Sequence, residues 1–263
     1  LLSRMADDDS GRMMRAALQK RGIDDRFVFS DPDTGTSTCI VLIKENAQRS
    51  FLTFKGCLRN FGDGDIDYTC VRQARLVSIG GLFSLPSFDR SASIRLLQAA
   101  KDAGCITVVD TKYDAFHIGL QGIGNLLEYT DYFFPSYDEA AALSGLTEPA
   151  QIARFFRSRG AKHVGVKLGA DGCYVCSNAF CGTVAPFCTS VLDTTGAGDN
   201  FMAGLIHGVL RGWTIQDCVT FANAAGALAC SRLGATSDLD YLQPIRNILS
   251  QTEAGTRLVK EGI

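Results

Sequence analysis

The feature that most constrains this chain is the regular alternation of short apolar runs with longer amphipathic stretches. Arg75-Leu76-Val77-Ser78-Ile79 is a short apolar strand ending in Gly80-Gly81, and Ser87 to Ala103 follows as a helix with Ile94, Leu97 and Ala100 on one stripe. Gly104 stops that helix, and Cys105-Ile106-Thr107-Val108-Val109-Asp110 is the next strand. Asp131-Tyr132-Phe133-Phe134, closed by Pro135, is another. A helix over Gln151 to Arg159 ends at Gly160, and His163 to Leu168 is a further strand. Continuous apolar strands separated by helices predict a parallel sheet covered on both faces.

Two regions break the alternation. Phe27-Val28-Phe29, Thr38 to Ile43 and Phe51-Leu52-Thr53-Phe54 are strand-like and are joined by turn residues without helices. They predict an antiparallel patch, a lid or a dimer surface, within 27–55. The last third is helical, over Ala197 to Leu210, Ile215 to Cys230 and Tyr241 to Leu249. Leu1-Leu2-Ser3-Arg4 reads as the end of a strand, followed by a helix over Ser10 to Lys20, so N-terminal sequence is expected to precede this chain.

With 263 residues there is room for one large domain. The formal net charge of −2 supplies no field to recruit nucleic acid or an anionic membrane surface. Apolar runs stop short of the roughly 18 residues that a membrane span requires. Ten cysteines in so long a chain do not make the disulfide scaffold of a small secreted domain. Most, as in Thr38-Cys39-Ile40-Val41, sit in apolar company and read as small buried hydrophobes, and reduced cysteines suit a cytoplasmic protein. Cys173, Cys176, Cys181 and Cys188 lie closer together, but a strand puts Cys173 and Cys176 on opposite faces and no histidine is near, so zinc is not expected.

The sharpest chemical signal is Asp193-Thr194-Thr195-Gly196-Ala197-Gly198-Asp199-Asn200-Phe201, a glycine turn leading straight into a helix. Unpaired amides at a helix N-terminus carry partial positive charge, and glycines let a phosphate approach them. Asp199 falls in that first turn, where a hydroxyl proton must be accepted during phosphoryl transfer. A Walker A loop is excluded because Asp199-Asn200, not Lys and Ser or Thr, follows the last glycine. A dinucleotide fingerprint, and with it an NAD-linked dehydrogenase, is disfavoured because Phe201 replaces the third glycine.

This loop, with Phe201, Ala203 and Gly204, resembles the C-terminal signature of the ribokinase-like (phosphofructokinase B) carbohydrate kinases. Met5-Ala6-Asp7-Asp8-Asp9-Ser10-Gly11 resembles that family's Gly-Asp-Asp-x-x-Gly segment, and Pro135-Ser136-Tyr137-Asp138-Glu139-Ala140 its Asn-x-x-Glu motif. Lys167-Leu168-Gly169-Ala170-Asp171-Gly172 resembles the strand and turn that line the ATP site. Ala222 to Ala227 and Arg232-Leu233-Gly234-Ala235 resemble the nucleotide-flanking helix and the loop after it.

The resemblance implies a three-layer α/β/α fold with a mostly parallel central sheet and a small antiparallel β lid, as one kinase domain. It implies transfer of the γ-phosphoryl of ATP to a hydroxyl of a small sugar, with Asp199 as the base and Gly196, Ala197 and Gly198 as the anion hole. Lys167, Gly169, Asp171, Gly172 and Asn223 correspond to nucleotide-binding positions. Glu139 corresponds to the acid that holds magnesium, usually through water, although Ser136-x-x-Glu139 is also a capping box. Asp193 and the main chain at Thr195, Ala229, Arg232 and Gly234 align with a monovalent-cation site suited to K+.

The family's opening strand, with its sugar-gripping Asp, and its Gly-Gly-x-x-x-Asn motif have no counterpart here. A chain that truly began at Leu1 would bind sugar poorly and could be a catalytically impaired binding or regulatory relative. Gln48 to Phe54 resembles the lid strand of sugar kinases rather than nucleoside kinases, with Arg49 a candidate substrate contact or an exposed lid residue. Ketohexoses and pentoses are therefore the first candidate substrates, nucleosides the alternative, and a homodimer through the lid is the expected assembly.

Overall fold

The computed structural model describes residues 1–43, 49–236 and 241–260. Along the chain run β1 (Ser3–Ala6), α1 (Asp9–Lys20), β2 (Val28–Asp31), β3 (Thr38–Ile43), β4 (Arg49–Phe54), α2 (Tyr68–Arg72), β5 (Leu76–Leu82), α3 (Ser91–Asp102), β6 (Ile106–Thr111) and α4 (Gly119–Gly122). Then come β7 (Tyr132–Phe133), α5 (Tyr137–Ser144), α6 (Pro149–Arg157), β8 (His163–Lys167), β9 (Cys173–Cys176), β10 (Cys181–Val184), α7 (Ala197–Leu210), α8 (Ile215–Cys230), α9 (Leu242–Leu249) and α10 (Glu253–Lys260). They form two compact units.

The first unit comprises Leu1–Ala74, Phe83–Cys105 and Asp114–Leu126. Its strands β1 and β2 pair parallel, joined by the crossover helix α1. Asp8 caps α1, accepting from the Gly11 amide at 2.7 Å, and also accepts from the amide and hydroxyl of Thr36. The Thr36 amide bond is the main reason why its carboxyl sits at about 2, with Gly11 contributing next. Gly11 is obligatory, because a Cβ there would come within 2.0 Å of the Ala6 carbonyl oxygen. Strands β3 and β4 form a two-stranded antiparallel sheet with Ile40, Leu42, Phe51, Leu52 and Phe54 exposed. The 27–29 run therefore does not belong to the antiparallel patch, since the helix before it commits it to a parallel partner. Gln48 and the side chain of Arg49 lie outside the described residues.

The second unit comprises Arg75–Leu82, Ile106–Tyr113 and Leu127–Ile263. Its six-stranded sheet has the order β10-β9-β8-β7-β6-β5. Strands β5 to β8 are parallel, and β9 and β10 add an antiparallel edge. Val108, Phe134, Cys173 and Val175 pack in one buried cluster with Phe201, Met202, Leu205 and Val209 of α7 and Val219 and Ala222 of α8. Each such side chain contributes roughly 1.5–3 kcal/mol on burial. Helices α7 and α8 approach so closely that a Cβ on Gly204 would stand 2.9 Å from the Ala222 Cα. A second cluster joins Phe221, Ala224 and Leu228 of α8 to Ile245, Leu249 and Leu258.

The reading of the cysteines as buried and reduced is corrected at Cys39, which is exposed on the two-stranded β3–β4 sheet, and at one pair. Cys176 and Cys181 form a disulfide, while the other eight are free. The two face each other directly across the β9–β10 hairpin, in register at both ends. Pairing follows from that register rather than from the spacing of cysteines. No helix among the described residues is long and apolar enough to cross a membrane.

Candidate active site

In a parallel sheet the carboxyl ends of the strands converge on one edge, where ligands bind. Here β6 ends in Asp110 and Thr111, followed by Lys112; β7 leads to Pro135 and Ser136; β8 ends in Lys167. Lys167 Nζ lies 2.7 Å from Asp110 Oδ1, and the two side chains are only 14% and 4% exposed. Lys167 is thus a largely buried strand end with a buried partner. Burial pushes the Asp110 carboxyl up from its ordinary value, and Lys167 opposes that rise.

Glu139, in the first turn of α5, has one oxygen occupied. Its Oε2 accepts from the Thr111 hydroxyl at 2.8 Å and from the Ser136 amide at 3.1 Å. The capping box is therefore formed, and it brings the carboxylate to the end of β6 beside Asp110. A hydrogen-bonded single carboxylate suits magnesium, which binds through one or two carboxylates, water and phosphate oxygens. Glu139 is the residue that would hold it, and the ion would neutralise charge on the phosphates.

The glycine loop is shaped by a buried acid. Asp193 Oδ1 accepts from the amide and hydroxyl of Thr195 at 2.8 and 2.6 Å, and Oδ2 accepts from the Gly234 amide at 3.0 Å. One side chain thereby ties the 193–195 and 232–234 loops together. The Ala229 carbonyl accepts from the Arg232 amide at 3.2 Å, which tightens the turn after α8. Gly196 has φ +77°, a left-handed conformation, and a Cβ there would stand 2.7 Å from the Ala235 carbonyl oxygen. Helix α7 then begins at Ala197 with Asp199 in its first turn. The Ala197 amide donates to the Thr194 carbonyl at 3.2 Å, so the amides of Gly196 and Gly198 are better placed to meet an anion.

Beside this turn lies a cavity of about 470 Å³, lined among others by Lys167, Gly169, Gly172, Gly198, Phe187 and Asn223. Gly172 has φ +84°, and a Cβ there would meet the Val184 carbonyl oxygen at 2.3 Å. A Cβ on Gly198 would point to Lys167 Nζ, 3.5 Å away. Gly172 thus lets the chain before β9 close against the 184–186 backbone, and Gly198 leaves its turn facing the Lys167 ammonium. Asn223 is buried, and its Nδ2 donates to the Val184 and Ala185 carbonyls at 3.1 and 2.9 Å. It holds α8 to the cavity wall. Asp171, also expected at the nucleotide site, is exposed in the turn before β9 and is not among the lining residues.

Asp199 points outward, 61% exposed, with Lys112 Nζ 3.5 Å from its Oδ1. Asp110, Thr111 and Lys112 carried no sequence motif. Their only signal is the polar tail closing an otherwise apolar strand, Ile106-Thr107-Val108-Val109-Asp110-Thr111-Lys112.

A glycine turn opening a helix at the carboxyl edge of a mostly parallel sheet, with an acid, two lysines and a cavity nearby, is an arrangement suited to phosphoryl transfer. The pfkB family carbohydrate kinase profile matches residues 1–241, and the chain belongs to that family. It is a carbohydrate kinase with the ribokinase-like fold. It is 25% identical to fructokinase-2 of Oryza sativa subsp. japonica over 95% of this chain and 79% of that protein. The structure of Arabidopsis thaliana ribokinase complexed with ribose and ATP is 27% identical, with TM-score 0.74 over 89% of this chain and 76% of that one. A putative ribokinase II from E. coli, in complex with ATP and Mg2+, has TM-score 0.84 at 24% identity, covering 95% of this chain and 82% of that one.

Proposed function

We propose that the protein transfers the γ-phosphoryl group of ATP to a hydroxyl of a small sugar, a ketohexose or pentose, with Asp199 as the general base. The observation that carries this reading is the exposed Asp199 carboxylate in the first turn of α7, next in the chain to Gly198, which lines a glycine- and lysine-lined cavity of about 470 Å³ that Asp199 itself does not line. In this reading Asp199 takes the proton of the sugar alcohol as that oxygen attacks the γ-phosphorus in line. The Gly196 and Gly198 amides face the charge that develops on the phosphoryl oxygens. Lys167, steadied by Asp110, faces the nucleotide phosphates across Gly198.

A fructokinase and a ribose- and ATP-bound ribokinase among the similar proteins support ATP and these sugars. Magnesium at Glu139 belongs to the proposal, as does K+ near the Asp193-tied loops at Thr195, Ala229, Arg232 and Gly234. Residues 1–263 are proposed as one kinase domain with 27–55 contributing its lid. The exposed apolar faces of β3 and β4 support a homodimer through that hairpin. The eight free cysteines support a cytoplasmic location. The test is Asp199→Asn, assayed with ATP across a panel of ketohexoses, pentoses and nucleosides. Turnover falls by about 10² or more while nucleotide binding persists; a variant as active as the unaltered protein refutes the assignment.

A further inference from the structure

The carboxyl edge of the sheet carries a second lysine that no motif marks. Asp110 and Lys112 are two residues apart where β6 ends, so extended backbone sends both side chains to one side. Asp110 reaches Lys167 at 2.7 Å, and Lys112 reaches Asp199 at 3.5 Å. The Lys112 amide is fixed by donating to the Leu82 carbonyl at 2.8 Å, which anchors the base of its side chain. The two lysines differ in what they can do. Lys167 is largely buried and its charge is spent on a buried carboxylate. Lys112 is 48% exposed and its partner 61% exposed, so their attraction is weak and adds little to stability.

We propose that Lys112 is a catalytic residue of the phosphoryl transfer, paired with Asp199 before the reaction and with the transferred phosphoryl group as Asp199 takes the proton. The inference rests on Asp199 being the base. The alcohol O–H bond breaks and its proton passes to Asp199; the new O–P bond forms as the bond from the γ-phosphorus to the bridging oxygen breaks, its electron pair leaving on ADP. Neutralising Asp199 removes the anion that held Lys112. The same proton transfer that makes the alcohol oxygen nucleophilic thus frees a cation, on a flexible four-carbon stem, for the phosphoryl oxygens. The charged groups brought to this turn are Lys112 from the end of β6, and Lys167 from the end of β8 with its Asp110. Glu139 stands beside Asp110, with one oxygen held by the Thr111 hydroxyl.

The experiment compares the unaltered protein with Lys112→Met, Lys112→Arg and Asp199→Asn, using ATP and the best sugar. Expected for Lys112→Met is a loss of about 10² to 10³ in kcat with the KM for ATP changed less than about threefold, the pattern of an interaction made only in the transition state. Lys112→Arg restores most of it. Lys112→Met within threefold of normal kcat while Asp199→Asn is dead overturns the role of Lys112 alone. So does a raised KM for ATP at unchanged kcat. A fully active Asp199→Asn overturns the underlying base assignment instead.

Discussion

Replacing Lys167 by Met tests whether the strand-end ion pair is a fixed part of the site. The ammonium is 14% exposed and its partner Asp110 4% exposed, at 2.7 Å. Removing one member of so buried a pair leaves an uncompensated carboxylate, at a cost of about 3–5 kcal/mol. At about 2–4 °C per kcal/mol for a chain of this size, Tm should fall by roughly 6–20 °C. The loss should depend on pH. Burial already raises the Asp110 carboxyl above its ordinary value, and without Lys167 it rises further. A group whose folded pKa is raised destabilises the fold once pH exceeds the unfolded value, and that cost grows until the folded pKa is passed. Lys167→Met is therefore worst near neutral pH and recovers towards pH 4. Asp110→Asn combined with Lys167→Met should recover much of the stability at pH 7.5, because no charge is left buried. Thermal unfolding at pH 5.0 and 7.5 decides the matter. A loss below about 1 kcal/mol with no pH dependence would show that the pair is not buried as described.

Three other outcomes follow from the same geometry. Gly196→Ala forces a Cβ to 2.7 Å from the Ala235 carbonyl oxygen at φ +77°, so kcat should fall at least tenfold and Tm should drop, both read on the purified variant. Asp8 contributes stability above its unfolded pKa of about 3.8 that is lost as pH falls towards its folded value of about 2. Asp8→Asn should flatten the unfolding curve in that window. Cys188 is exposed and lines the cavity together with Cys230; ATP should slow alkylation of Cys188 by iodoacetamide but leave exposed Cys39 unaffected, as peptide mass mapping would show.

Local periodicity determined a large part of this protein. Each strand from β5 to β8 is an apolar run of a few residues, and the helices α7 and α8 begin and end where their caps and glycines stand. The 193–201 loop carried its own conformational demand, because only glycine fits a left-handed residue pressed against Ala235. Glu139 was readable as a helix-start acid, since capping involves residues three apart in the chain. The tertiary structure alone decided the rest. Asp110 and Lys167 are 57 positions apart and meet because β7 is a strand lying between β6 and β8. Lys112 meets Asp199 through the packing of α7 on that sheet. Cys176 finds Cys181 by hairpin register, and β2 takes a parallel partner because α1 returns it alongside β1. Backbone preference and amphipathic period act over a few residues and leave a mark on sequence. Strand order and side-chain pairing across elements act through space, between groups whose separation along the chain carries no record of their contact.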